Sequence, residues 1–148
     1  MSERNKTVIR RAFEEVYNQG NLEVVEELVS ADFVAHTSTQ DIHGPAGMQG
    51  FVASLREAFP DLRITIDDQL AEGDRVVTRW TARGTQTGPF QGIAPTGKRA
   101  TMTGVDIDRI VDGKAVECWM SADVLGLLHQ LGASPAPGSQ EPTVSSTS

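Results

Sequence analysis

Residues 101–120, TMTGVDIDRIVDGKAVECWM, constrain what this chain can fold into more than any other stretch. Two β-branched runs, Thr101–Ile110 and Ala115–Met120, flank Asp112-Gly113, a pair that accepts the positive φ of a tight turn. The stretch therefore predicts a β-hairpin. Its first run carries Asp106 and Asp108, although strands disfavour Asp and burying a charge without a partner costs several kcal/mol. Carboxylates set against that gradient need a reason, and chemistry is one.

Two registers are open. With a two-residue turn at Asp112-Gly113, Asp106 lies opposite Trp119 and shares a face with Ser121. With a three-residue loop, Val111-Asp112-Gly113, and a left-handed Gly113 bulge, Asp106 lies opposite Cys118 and shares a face with Cys118 and Met120. A slip of one residue exchanges every neighbour. Asp-Gly-Lys after Val111 favours the bulged form.

Upstream the chain is first helical in period and then alternating. Val8, Ile9, Ala12, Phe13, Val16 and Tyr17 form one apolar stripe over Asn5–Asn18, ended by Gly20. A second helix spans Leu22–Val29, and a third runs from Gly44-Pro45 to Phe59, where Pro60 stops it. Between them Asp32–His36 reads as a short extended segment. Leu62–Asp67 and Arg75–Thr85 then alternate as half-buried strands. A Gly- and Pro-dense loop over 88–98 leads into the hairpin, and a short helix, Val124–Leu131, closes the domain. Helices followed by strands predict an α+β fold: three helices and a short C-terminal one against a curved antiparallel sheet, a cone with a cavity lined from the concave face. Residues 1–132 make one domain, and the Ser- and Pro-rich 133–148 are expected to be a disordered tail.

Composition removes several function classes. A net charge of −7, with Lys and Arg scattered, argues against a nucleic-acid partner. The apolar runs fall short of a membrane span and no signal-peptide core opens the chain, so a cytoplasmic protein is expected. The one cysteine, Cys118, excludes an internal disulfide and reads as a small buried hydrophobe. His36, His43 and His129 lack metal-ligand spacing, so no metal is expected, and no phosphate loop or nucleophile elbow is present.

Three segments carry a family resemblance: Phe90-Gln91-Gly92-Ile93-Ala94-Pro95-Thr96-Gly97-Lys98, Arg109–Lys114, and Leu128-His129-Gln130-Leu131-Gly132. In this order the chain resembles the SnoaL-like polyketide cyclases of the nuclear-transport-factor-two-like superfamily. The resemblance implies ring closure of an aromatic polyketide by intramolecular aldol condensation, without metal or organic cofactor, in a homodimer joined through the convex sheet face. It places the family's helping histidine at Asp106 and its acid/base aspartate at Met120, which cannot move a proton. It also requires positions 106 and 120 on one concave face. Asp123 matches a family aspartate that begins the closing helix, and His36 a histidine after the second helix.

The residues then suggest roles. Asp106 in an apolar cavity would titrate near the operating pH and serve as general base; the competing reading pairs it with Arg79 or Arg99. His36, at the expected cavity mouth, would orient Asp106 or polarise a carbonyl. Asp123 is read either as a third catalytic group or as the N-cap of Val124–Leu131. Asp108 is expected at the cavity rim or in solvent. Tyr17, Met48, Phe51, Trp80, Met102, Cys118 and Met120 are expected to line a site for a small hydrophobic ligand. The reading is an acid/base enzyme acting on a hydrophobic polyketide-like carbonyl compound. The alternatives are a non-catalytic binder of the same fold, and an epoxide hydrolase using Asp106 with Asp123.

Overall fold

In the computed structural model of the protein residues 2–132 are described; the expected tail over 133–148 lies outside them. Helix α1, Ser2–Arg11, continues without a break into a π-wound segment, Ala12–Asn18, where the sequence predicts an ordinary helix throughout. Its buried Phe13, Val16 and Tyr17 face the sheet. The last carbonyls of this helix would be orphaned, and Arg56 satisfies two, donating to Tyr17 O at 2.7 Å and Asn18 O at 3.1 Å. Asn18 in turn accepts from Ile64 N at 2.6 Å and donates to Ile64 O at 2.9 Å, which fixes the helix end to the sheet.

The second helix, α2, is a 3-10 turn Leu22–Val24 leading into Val25–Leu28. It stops one residue before the expected end, because Val29 already belongs to strand β1, Val29–His36. Short β2, Asp41–His43, precedes α3, Gly44–Ala58, which starts with Pro45 in its first turn. Strands β3 (Arg63–Glu72), β4 (Arg75–Thr85), β5 (Arg99–Val111) and β6 (Lys114–Ala122) follow, then α4, Val124–Gln130. The six strands form one curved sheet in the order β2-β1-β6-β5-β4-β3, with β2 and β3 as open edges, so the cone is not closed. Every neighbouring pair is antiparallel except β1 with β6, which is parallel and departs from the expected all-antiparallel sheet.

The β5–β6 hairpin corrects the expected turn. Asp112 at φ 52° and Gly113 at φ 79° make a two-residue turn, with Val111 opposite Lys114. The three-residue loop is not formed. A bulge follows at Val116: Ile110 faces Ala115, but Arg109 faces Glu117. That extra residue moves the register by one, so Asp108 lies opposite Cys118 and Asp106 opposite Met120. Asp106 thus shares a face with Cys118 and Met120, as expected, by a different device. Among the described residues no helix is long and apolar enough to cross a membrane.

Replacing Asn18 by Ala leaves the amide and carbonyl of buried Ile64 without their partner. We expect a loss of about 1–3 kcal/mol in urea unfolding, with an unchanged midpoint as the contrary result.

Candidate active site

A cavity of about 130 Å³ lies between the helices and the concave face. Phe13, Tyr17, Phe51, Trp80, Met102 and Met120 supply much of its wall, and Asp106 is its carboxylate. Exposed Ser38, Thr39 and Gln91 mark the opening and give it a polar rim. For scale, an engineered void of about 150 Å³ holds one benzene ring, so a larger ligand would extend past this rim. Behind the cavity is a smaller chamber of about 40 Å³ that shares Phe13, Tyr17, Asp106 and Met120 and adds Met48, Asp108 and Cys118.

Asp106 is 6% exposed and accepts the indole N–H of Trp80 at 3.0 Å. This contact depends on Gly104. Trp80 sits directly opposite Gly104 across β4–β5, and a Cβ at position 104 would collide with the indole ring. Neither expected arginine reaches Asp106: Arg79 lies on the outer face and pairs with Asp67 at 3.7 Å. With no cation beside it, burial pushes the Asp106 carboxyl up to about 6, against the opposing pull of the Trp80 hydrogen bond.

Asp108 corrects the sequence expectation. It is 7% exposed rather than at the rim, and burial, reinforced by the Asp106 charge and opposed by a Cys118 hydrogen bond, pushes its carboxyl up to about 8. Period-two alternation carries the signal that would have found it: once Asp106 points inward, residue 108 of the same strand must as well. Burial first, then the charge of Asp106, holds the Tyr17 phenol well above its ordinary range, so it is a neutral donor. Burial likewise keeps the Cys118 thiol protonated, well above its usual value.

His36 is not brought to Asp106. Parallel pairing sets it beside Trp119, on the opposite face of the sheet from Cys118 and Met120. There its Nε2 lies 2.7 Å from Glu117 and its Nδ1 3.1 Å from Asp41, contacts that raise its pKa, and its ring stacks on Trp119 at 5.9 Å. Asp123 is an exposed N-cap: it accepts from Gly126 N at 3.0 Å and lies outside the cavity wall. The Asp106–Asp123 pair that epoxide hydrolysis would need is therefore not assembled. Of the expected lining, Tyr17, Phe51, Trp80, Met102 and Met120 face the main cavity, and Met48 and Cys118 only the inner chamber.

Sequence reasoning also passed over Gln86, a fully buried amide. It accepts from Thr96 Oγ1 at 2.7 Å and donates to Ile93 O at 3.2 Å, holding the Gly- and Pro-rich loop against the rim. As for metals, the donor atoms of Asp106, Asp108 and Cys118 lie within 4.8 Å of one another. Apart from Tyr17 the chamber around them is apolar and offers no further oxygen or nitrogen side-chain ligand among the described residues.

The SnoaL-like polyketide cyclase profile matches residues 7–131. The chain belongs to that family. Aklanonic acid methyl ester cyclase DnrD of Streptomyces peucetius is 28% identical over 126 residues, which are 82% of this chain and 87% of DnrD. Among solved structures, IdmH of Streptomyces antibioticus, assigned as a polyketide cyclase, superposes with a TM-score of 0.76 at 34% identity, covering 87% of this chain and 99% of IdmH. AclR of Streptomyces galilaeus, assigned as a hydroxylase, gives 0.80 at 31% identity, with 91% and 89% covered. In this SnoaL-like chain positions 106 and 120 face each other on the concave side, as the resemblance requires.

Two results should follow from this geometry. Gly104→Ala should displace Trp80 from Asp106, red-shift the tryptophan emission and raise the Asp106 midpoint; an unchanged spectrum would contradict the packing. Both buried carboxyls have folded-state pKa values above the unfolded one, so the folded state binds protons more tightly. Their contribution to stability is complete below about pH 4 and is lost as pH rises through about 6 and about 8. Asp108→Asn should therefore flatten the decline in the unfolding free energy, measured by urea titration, on the alkaline side, by up to about 1.4 kcal/mol per pH unit.

Proposed function

We propose that this protein is an acid/base enzyme that closes a ring in a hydrophobic, polyketide-like carbonyl compound by intramolecular aldol addition. The observation that carries the reading is Asp106: a buried carboxylate on a largely apolar cavity, with one neutral hydrogen-bond donor and, among the described residues, no ion pair of its own. Such a group is ionised at neutral pH yet basic enough to take a proton α to a carbonyl. DnrD, a cyclase by name, is similar over most of both chains. AclR shares the fold under a different assignment, so the site and not the fold must choose the reaction.

The steps balance without a co-reactant. Asp106 removes the α proton and the electron pair moves onto the carbonyl oxygen. The neutral phenol of Tyr17, which lines both compartments, donates to that developing oxyanion. The enolate carbon then attacks the second carbonyl, and the new alkoxide takes its proton back from Asp106. Because Met120 stands where the family's acid/base aspartate is expected, Asp106 acts first as base and then as acid. The ring carbons lie among Phe13, Phe51 and Met102, with polar substituents at the Ser38–Gln91 rim. The homodimer implied by the resemblance would use the outer face around Trp119.

The test is turnover of aklanonic acid methyl ester and related aromatic polyketide β-keto esters, followed chromatographically. Asp106→Asn should lower kcat by about 10²–10⁴-fold, while affinity, read from tryptophan quenching, stays within a few fold. Ligand binding with no turnover by the wild-type protein would favour the binder reading. Turnover unaffected by Asp106→Asn would refute the assignment of the base.

A further inference from the structure

Asp108 takes no part in those proton transfers, although it is buried as deeply as Asp106. It stands two residues along β5, so the pleat turns both carboxylates to the concave side. Asp106 opens on the main cavity, whereas Asp108 reaches only the inner chamber. Carboxylate oxygens of the two lie within 4.8 Å of each other and of Cys118 Sγ. Tyr17 from the first helix and Cys118 from β6 are the other titratable groups lining that chamber. From α2, β1 and α3 come Leu28, Phe33 and Met48, and β4 sets Val76 and Thr78 opposite the pair. Among the described residues no lysine, arginine or histidine lines it.

Two full negative charges this close, in apolar surroundings and without a cation, repel each other strongly; a single proton held between them removes that cost. We propose that Asp106 and Asp108 form a proton-sharing pair, in which Asp108 stays a neutral carboxylic acid and positions the Asp106 carboxylate by donating a hydrogen bond to it. This deepens the acid/base reading and rests on it. Trp80 already holds Asp106 Oδ1 from β4. Donation from Asp108 fixes the same group from the chamber side and leaves its remaining lone pairs to the substrate. The proton count closes. The pair begins with one proton, gains the substrate's α proton on Asp106 as the enolate forms, and returns that proton to the alkoxide. The Asp108 proton stays in place, so Asp108 is a positioning residue and not the base.

The test needs no substrate: carboxyl-13C NMR titration of aspartate-labelled full-length protein. Asn at position 108 keeps a donor, so Asp108→Asn should leave the Asp106 midpoint within a few tenths of a pH unit. Asp108→Leu removes the donor and should raise it by about one pH unit or more. In Asp106→Asn the Asp108 midpoint should fall, because its negative neighbour is gone. An Asp106 midpoint unmoved in Asp108→Leu, or an Asp108 already ionised at pH 7 in the wild-type protein, would overturn the proposal. So would a divalent metal ion retained by the purified protein and lost in Asp108→Asn. If the midpoints shift as expected but Asp106→Asn turns over normally, the proposed function fails and the pair stands. If turnover is lost but the midpoints do not move, the pair alone fails.

Discussion

Burying Asp106 and Asp108 without a cation is costly, and much of the local structure bears on that cost. An isolated carboxylate loses its hydration on entering an apolar site, so either a partner or a proton must compensate. Here the partner is weak: one indole N–H at 3.0 Å, admitted because residue 104 has no side chain. Protonation makes up the rest, which is why both carboxyls titrate far above their usual range. The stability given up at neutral pH is the counterpart of a base poised near its working pH. A lysine or arginine at the chamber would recover that stability and hold Asp106 ionised at the expense of its basicity.

The sheet separates this dry chemistry from a wet, charged face. Concave positions 76, 78, 80 and 82 of β4 are buried. On the other side Glu117 is shared between His36 and Arg109, and Trp119 lies between the His36 ring and the Arg75 guanidinium. One-residue alternation is all that divides the two environments, so register governs function as strictly as residue identity does. The Val116 bulge is therefore a functional element: it brings Met120 and Cys118 to the carboxylates instead of Trp119.

Period and turn chemistry made the helices, the strands and the hairpin legible, and the SnoaL-like resemblance set the expected face of Asp106. The failures have physical causes. His36 was misplaced because its face depends on parallel pairing of β1 with β6, a contact distant in sequence that no local pattern encodes. Asp123 serves as a cap, the role its position before an apolar helix already favoured. Asp108 was missed although strand parity required it to follow Asp106. The bulge at Val116 and the π-wound helix end carry no composition signal of their own, since both are settled by packing.

Infrared spectroscopy of the wild-type protein at pH 7 reads the protonation of Asp108 directly. A buried, neutral carboxylic acid has a carbonyl stretch well separated from the carboxylate bands. One such band is expected, present at pH 7, fading as pH rises past about 8, and missing in Asp108→Asn. A spectrum showing only carboxylates at pH 7 would mean that both aspartates are ionised and compensated some other way, and the proton-sharing account of the site would be wrong.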